Sequence, residues 1–230
     1  MKEILIIPDV HGRKFWREAV EKHPDLPRVF LGDYTDPYTY QEGITIKEAV
    51  KELEDIVELK MSEPDLTTLL LGNHCTHYLW DEADKGTRYD ETWKDRLIEI
   101  YGRTEFKVAH QVGSYLFTHA GLVPRWFTQN DLNIPEKDGV ADFLNSLSQT
   151  KKGRVALGNI GRSRGGYSPY GGPLWADWYN DHTGAEICPG LKQIFGHTQV
   201  WGPDTLGSSW CIDCKKAFIL NIDDGTIKEA

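Results

Sequence analysis

Ile4-Leu5-Ile6-Ile7-Pro8-Asp9-Val10-His11-Gly12 is the stretch on which the reading of this chain turns. Four consecutive apolar residues stopped by proline have the length and composition of a fully buried strand. The segment beyond that strand is short, polar and turn-forming. The same arrangement returns twice: Arg28-Val29-Phe30-Leu31 runs into Gly32-Asp33-Tyr34-Thr35-Asp36, and Leu69-Leu70-Leu71 runs into Gly72-Asn73-His74. Between these strands, residues 13–22 read as a helix. Ile46, Ala49, Val50, Leu53, Ile56 and Val57 keep the three- and four-residue spacing of a second, amphipathic one. Strand–helix–strand repetition predicts an α/β fold with parallel strands and right-handed crossovers. Each strand delivers polar residues at its C-terminal end, where open α/β sheets collect their ligands.

Downstream the texture changes. Tyr89, Trp93, Leu97, Ile100 and Tyr101 mark another helix, and residues 106–111 and 115–118 flank Val112-Gly113-Ser114 as a hairpin. Residues 152–173, rich in Gly, Arg and Ser, read as a long loop. Short strands are expected at 193–195, 210–214 and 217–222, giving a second, mostly antiparallel sheet packed on the first. No repeat, low-complexity tract or linker divides the chain, so a single domain over residues 1–230 is expected.

Composition narrows the function. With 40% hydrophobic and 27% charged residues in a chain of 230, the protein is globular rather than disordered. A formal charge of −9 repels phosphate backbones, which argues against nucleic acid as a partner. The N-terminal apolar run is too short for a signal peptide, and no later stretch is long enough to span a bilayer. Four cysteines are too few for a disulfide framework. The expectation is a cytoplasmic protein without a membrane partner. Cys211-x-x-Cys214 falls within a predicted strand, where positions i and i+3 face opposite ways, so joint metal ligation is geometrically poor.

The polar strand ends form an ordered series: Asp9-Val10-His11-Gly12, Gly32-Asp33-x-x-Asp36, Gly72-Asn73-His74, His119-Ala120-Gly121 and Gly196-His197-Thr198. Asp-x-His alone carries no weight, since chance produces it about 0.7 times in such a chain. Gly-Asn-His is expected only about 0.02 times, and the first three blocks together on the order of 0.002 times. Carboxylate, imidazole and amide oxygen suit Mn, Fe or Zn. A carboxylate bridges two cations where a neutral imidazole does not. Asp33, central to the set, is therefore the candidate to hold a metal pair about 3.5–4 Å apart.

These blocks resemble the signature motifs of the calcineurin-like metallophosphoesterases, and within them the PPP-type protein phosphatases. The resemblance runs from residue 9 to residue 198 in the family's order. His119-Ala120-Gly121-Leu122 and Gly196-His197-Thr198 are most similar to small bacterial and phage PPP phosphatases and to symmetrical diadenosine tetraphosphatases. The resemblance implies a four-layer α-β-β-α sandwich of two mixed sheets flanked by helices. It implies two divalent ions (Mn first; Fe, Zn or Ni as alternatives), with Asp9, His11 and Asp33 holding one and Asp33, Asn73, His119 and His197 the other. His74 would be the general acid, oriented by Asp36, and metal-bound hydroxide would attack phosphorus in line. The implied activity is hydrolysis of a phosphorylated substrate, foremost a phosphomonoester as in the Ser/Thr protein phosphatases. Cleavage of a dinucleoside polyphosphate or other nucleotide is the alternative within enzymes. A metal-binding scaffold without catalysis is the alternative outside them.

Three positions depart from the family pattern. Pro37-Tyr38 follows Asp36 where the family has Arg-Gly, so its phosphate-binding arginine is absent there. Arg164, Arg162 and Arg13 are the candidate substitutes, because a guanidinium grips phosphate bidentately. Cys75 stands where the family has Glu, a position that is not a ligand. Gln199 follows Gly-His-Thr, as PPP members also lack a further histidine there. His23, His77, His110 and His182 have no partner pattern and are expected as surface or satisfied core residues.

Overall fold

A computed structural model of the chain describes residues 3–230. The described chain falls into two compact units, one of residues 3–81, 85–106 and 215–230, the other of residues 82–84 and 107–214. Each is built on one five-stranded sheet.

The first unit opens with β1 (Glu3–Ile7), α1 (Phe15–Lys22), β2 (Arg28–Phe30) and the short α2 (Thr39–Glu42). It continues through α3 (Ile46–Ser62), β3 (Thr67–Leu69), α4 (Asn73–Leu79) and α5 (Lys94–Tyr101). β1, β2 and β3 pair in parallel, as the strand–helix alternation predicts. α3 starts where Thr45 accepts a hydrogen bond from the Glu48 backbone N–H while the Glu48 side chain accepts from the Thr45 N–H, satisfying two orphan donors reciprocally. Its apolar stripe of Val50, Leu53, Ile56 and Val57 joins Leu5, Ile7, Phe30 and Leu69 of the sheet in one buried cluster. Each such side chain stabilises the fold by about 1.5–3 kcal/mol.

The second unit contains β4 (Ala109–Val112), β5 (Tyr115–Thr118), α6 (Pro124–Gln129), α7 (Val140–Leu147) and α8 (Lys151–Leu157). β6 (Lys192–Phe195), β7 (Asp204–Leu206) and β8 (Ser209–Cys211) complete it. The chain then returns to the first unit as β9 (Phe218–Asn221) and β10 (Ile227–Glu229), with β9 antiparallel to β1. Strand order is β10-β9-β1-β2-β3 in one sheet and β4-β5-β6-β8-β7 in the other, so both sheets are mixed.

Three expectations need correction. The second sheet is not mostly antiparallel: β5–β6 and β6–β8 pair in parallel, and only β4–β5 and β7–β8 run antiparallel. The last strands belong to the first sheet. Residues 152–173 are not all loop either, since α8 occupies Lys151–Leu157, capped by the Thr150 hydroxyl accepting from Gly153 N–H. Ala156 and Leu157 are buried, so tertiary contact supports a helix too short to hold itself. Among the described residues no helix is long and apolar enough to cross a membrane.

Candidate metal centre

In the first unit the functional side chains leave the C-terminal ends of β1 and β2 and the start of α4. The backbone there is forced into the left-handed region at His11 (φ 44°), Asp33 (φ 49°) and Asp36 (φ 57°). Such conformations cost of order 1–3 kcal/mol at non-glycine residues and gather at functional sites. Gly72 makes room for one of them: a Cβ at this position would lie 2.1 Å from Asp33 Oδ1. That oxygen instead accepts the His74 backbone N–H at 2.8 Å.

Asp9, His11 and Asp33 are buried, and one ligand atom from each lies within 4.8 Å of the others. His11 Nδ1 lies 2.8 Å from the Thr35 carbonyl oxygen, an acceptor, so Nδ1 carries the hydrogen and Nε2 presents its lone pair. Nε2 stands 3.9 Å from Asp9 Oδ2 and 3.7 Å from Asp33 Oδ2, too far for hydrogen bonds and suited to a cation among the three. Burial, against the pull of Asp33, lowers the His11 pKa to about 3, so the ring is a neutral ligand at ordinary pH. The donor set fits a divalent metal.

Asp36 and His74 form a second constellation in the same unit. His74 Nδ1 lies 2.8 Å from Asp36 Oδ2, and Tyr78 donates its hydroxyl to Oδ1 at 2.6 Å. His77, given no role from the sequence, is buried with Nε2 2.7 Å from the same Oδ2. The Gly86 N–H donates to His77 Nδ1 at 3.2 Å, which fixes the hydrogen on Nε2. Burial alone would raise the Asp36 carboxyl, but the hydrogen bonds from His74 and His77 outweigh it and hold it below the usual carboxylate range. The three residues also qualify by distance as a metal-binding group; His74 Nδ1 is hydrogen-bonded to Asp36 and His77 Nε2 stands at ion-pair distance from the same oxygen. A helical signal for His77 was available: it lies three residues after His74 and shares its face of α4.

In the second unit, His119 follows β5 and His197 follows β6, the latter at φ 67°. The Gly196 N–H donates to the His119 carbonyl at 2.8 Å, tying the two strand ends together. His119 Nε2 and His197 Nδ1 lie 3.1 Å apart, within hydrogen-bond distance. His182 is a satisfied core residue, its Nε2 3.1 Å from the Ala120 carbonyl.

The candidate arginines have varied surroundings. Arg13 pairs with Glu42 (Nε–Oε2 2.7 Å) and reaches the Asp9 carbonyl, and Arg164 pairs with Asp177 at 2.8 Å and donates to Thr198 at 2.5 Å. Arg162 is exposed. A fourth, Arg88, stands beside His74 and has no motif to announce it. Cys75 is fully buried, and burial together with Asp33 pushes its thiol up to about 12, so it is inert. Cys211 directs its buried sulfur at backbone carbonyls of Gly196 and Thr198. β8 ends at Cys211, so Cys214 lies beyond it rather than within the expected strand.

A family model for calcineurin-like phosphoesterases matches residues 2–200. The chain belongs to this family. As a calcineurin-like phosphoesterase it comes from a group that acts on phosphorylated substrates with divalent metals, and its Asp/His clusters are of the kind that binds them. Similar solved structures include a cold-active protein tyrosine phosphatase, at 17% identity and TM-score 0.64, covering 100% of this chain and 78% of that one. Another is the cold-active protein-tyrosine phosphatase of a psychrophilic Shewanella species, at 15% and 0.62, covering 100% and 80%. A serine/threonine phosphatase from Saccharomyces cerevisiae matches at 16% and 0.52, covering 100% and 79%. At these identities the likeness bears on the fold alone. A search of curated protein sequences found no match.

Proposed function

We propose that this calcineurin-like phosphoesterase hydrolyses phosphomonoesters, with its two units working as one catalytic domain. The observation that carries the reading is that the His74–Asp36 pair adjoins the carboxylate–imidazole cluster, the His74 and His11 rings lying 5.3 Å apart. Asp9, His11 and Asp33 would hold one divalent ion and Asp33, Asn73, His119 and His197 a second, with manganese suited to such donors. When bound, the pair neutralises charge on phosphoryl oxygens and activates water for in-line attack. The remaining work falls to the protein. Asp36 keeps the Nδ1 hydrogen of His74 occupied, which leaves Nε2 as the nitrogen that hands a proton to the departing oxygen. His77 and Tyr78 hold the Asp36 carboxylate still. The Thr35 carbonyl keeps His11 in the ligand tautomer.

The names of the similar structures, tyrosine and serine/threonine phosphatases, support a phosphomonoester over a dinucleotide. The test is a panel on manganese-loaded protein: p-nitrophenyl phosphate, phosphoserine, phosphothreonine and phosphotyrosine peptides, and diadenosine tetraphosphate, ranked by kcat/KM. Phosphopeptides are expected to lead. A ranking headed by diadenosine tetraphosphate would overturn the monoester assignment, and no turnover of any member by metal-loaded protein would leave only a binding scaffold.

A further inference from the structure

The position after Asp36 that carries the family arginine is Pro37 here, so a phosphoesterase of this sequence needs a cationic grip from elsewhere. Six arginines lie in the first unit. Five of them, Arg13, Arg17, Arg28, Arg96 and Arg103, are paired with carboxylates. Arg88 alone has no carboxylate partner among the described residues.

Its position is nevertheless tightly defined. Nε donates to the Asp36 carbonyl at 2.9 Å, which ties the side chain to the loop that carries the dyad carboxylate. The guanidinium carbon lies 3.9 Å from the centroid of the Tyr38 ring, a cation–π contact that fixes its plane. Nη2 reaches His74 Nε2 at 3.1 Å, and that nitrogen has a lone pair because Nδ1 carries the hydrogen toward Asp36. Nη1 makes no hydrogen bond among the described residues. The backbone at Arg88 is left-handed (φ 66°), a conformation uncommon for a residue that carries a Cβ. On its other side Arg88 lines a cavity of about 540 Å³, together with Tyr38, Tyr40, Thr45 and Asp90, which gives solutes access to the guanidinium.

A cation that is held in place, makes no ion pair among the described residues and touches the nitrogen meant to face the leaving oxygen has the properties of an anion receptor. We propose that Arg88 binds the phosphoryl oxygens of the substrate, taking the place of the arginine missing after Asp36. The assignment rests on the phosphomonoesterase reading. An imidazole lone pair is a weaker acceptor than a phosphoryl oxygen, so an entering phosphate draws Nη2 and Nη1 to itself as a bidentate pair. Released from Nη2, His74 Nε2 takes up a proton from water and then faces the departing oxygen as its donor. Arg88 thus touches substrate and also clears the nitrogen of His74.

The experiment measures inorganic phosphate binding by calorimetry and p-nitrophenyl phosphate kinetics, both on manganese-loaded protein, with bound metal counted for every variant. Arg88→Asn removes the guanidinium while tolerating the left-handed backbone, and Arg88→Lys retains the charge without the fork. Arg88→Asn is expected to weaken phosphate binding and raise KM by about ten- to a hundredfold, the range for losing a charged hydrogen-bonding partner. Metal content stays unchanged, and Arg88→Lys recovers part of the loss. Arg103→Ala, on a surface arginine outside the site, keeps wild-type values. Phosphate affinity and KM within twofold of wild type in Arg88→Asn would overturn the proposal while leaving the phosphomonoesterase reading intact. Wild-type protein that loads metal but neither binds phosphate nor turns over ester would overturn both.

Discussion

Asp36 carries three partners on two oxygens: His74 and His77 on Oδ2, and the Tyr78 hydroxyl on Oδ1. A carboxylate so restrained fixes the ring of His74 in both position and tautomer. His74→Asn is therefore expected to leave metal content unchanged and to slow alkyl phosphates by about 10²–10⁴-fold. It slows p-nitrophenyl phosphate much less, because nitrophenolate departs with little help from a proton. Equal slowing of both esters would remove His74 from the acid's role. His77→Ala, which loosens Asp36 without touching substrate, should shift the alkyl-to-aryl rate ratio in the same direction by about tenfold. A loss of thermal stability with that ratio unchanged would make His77 merely structural.

At the scale of elements, the legible parts are those written locally. An apolar run ended by Asp, Asn or Gly is a strand that delivers a polar side chain, and β1, β2 and β3 follow that pattern with the expected parallel pairing. Arg88 could not be read in the same way, because it meets Asp36 across 52 positions of chain through a loop without periodicity. The pairing of β6 with β5 and β8 was equally hidden, since direction depends on connections longer than any motif. One short element shows how distant charges hold the local structure. Glu42, at the end of α2, accepts two hydrogen bonds from Arg13 and one from Lys215. The Arg13 hydrogen bonds, ahead of Lys215 and against burial, lower its carboxyl from 4.5 to about 2. A carboxylate more acidic in the folded state stabilises the fold above its unfolded pKa and loses that contribution as pH falls through the folded one. Glu42→Gln is accordingly expected to cost about 1 kcal/mol at pH 7, after allowance for solvent screening. The difference between variant and wild type should close between pH 4.5 and about 2 in denaturant titrations. A gap that persists unchanged at the acid end would mean that the side chain acts through packing rather than charge.

For the whole molecule, the proposed two-ion ligand set would draw on residues of both units, Asp9, His11, Asp33 and Asn73 of one and His119 and His197 of the other. A metal that binds the folded chain and not the unfolded one stabilises it by mass action, by about 2.7 kcal/mol per site at a hundred times Kd. For a chain of this length each kcal/mol is worth about 2–4 °C, so each occupied site should raise Tm by about 5–10 °C, and the two together by about 10–20 °C, over protein kept in chelator. Asp33→Asn, which removes charge from the residue assigned to both ions, should abolish most of this rise. His197→Ala should reduce it by about half, sparing the ion assigned to Asp9, His11 and Asp33. Hydrogen exchange locates the effect. Manganese should slow amide exchange after β1 and β2 in the first unit and after β5 and β6 in the second, since ligands of one ion must be ordered together. Protection confined to the first unit, with His197→Ala matching wild type in Tm, would take His119 and His197 out of the ligand set and reduce the centre to a single ion.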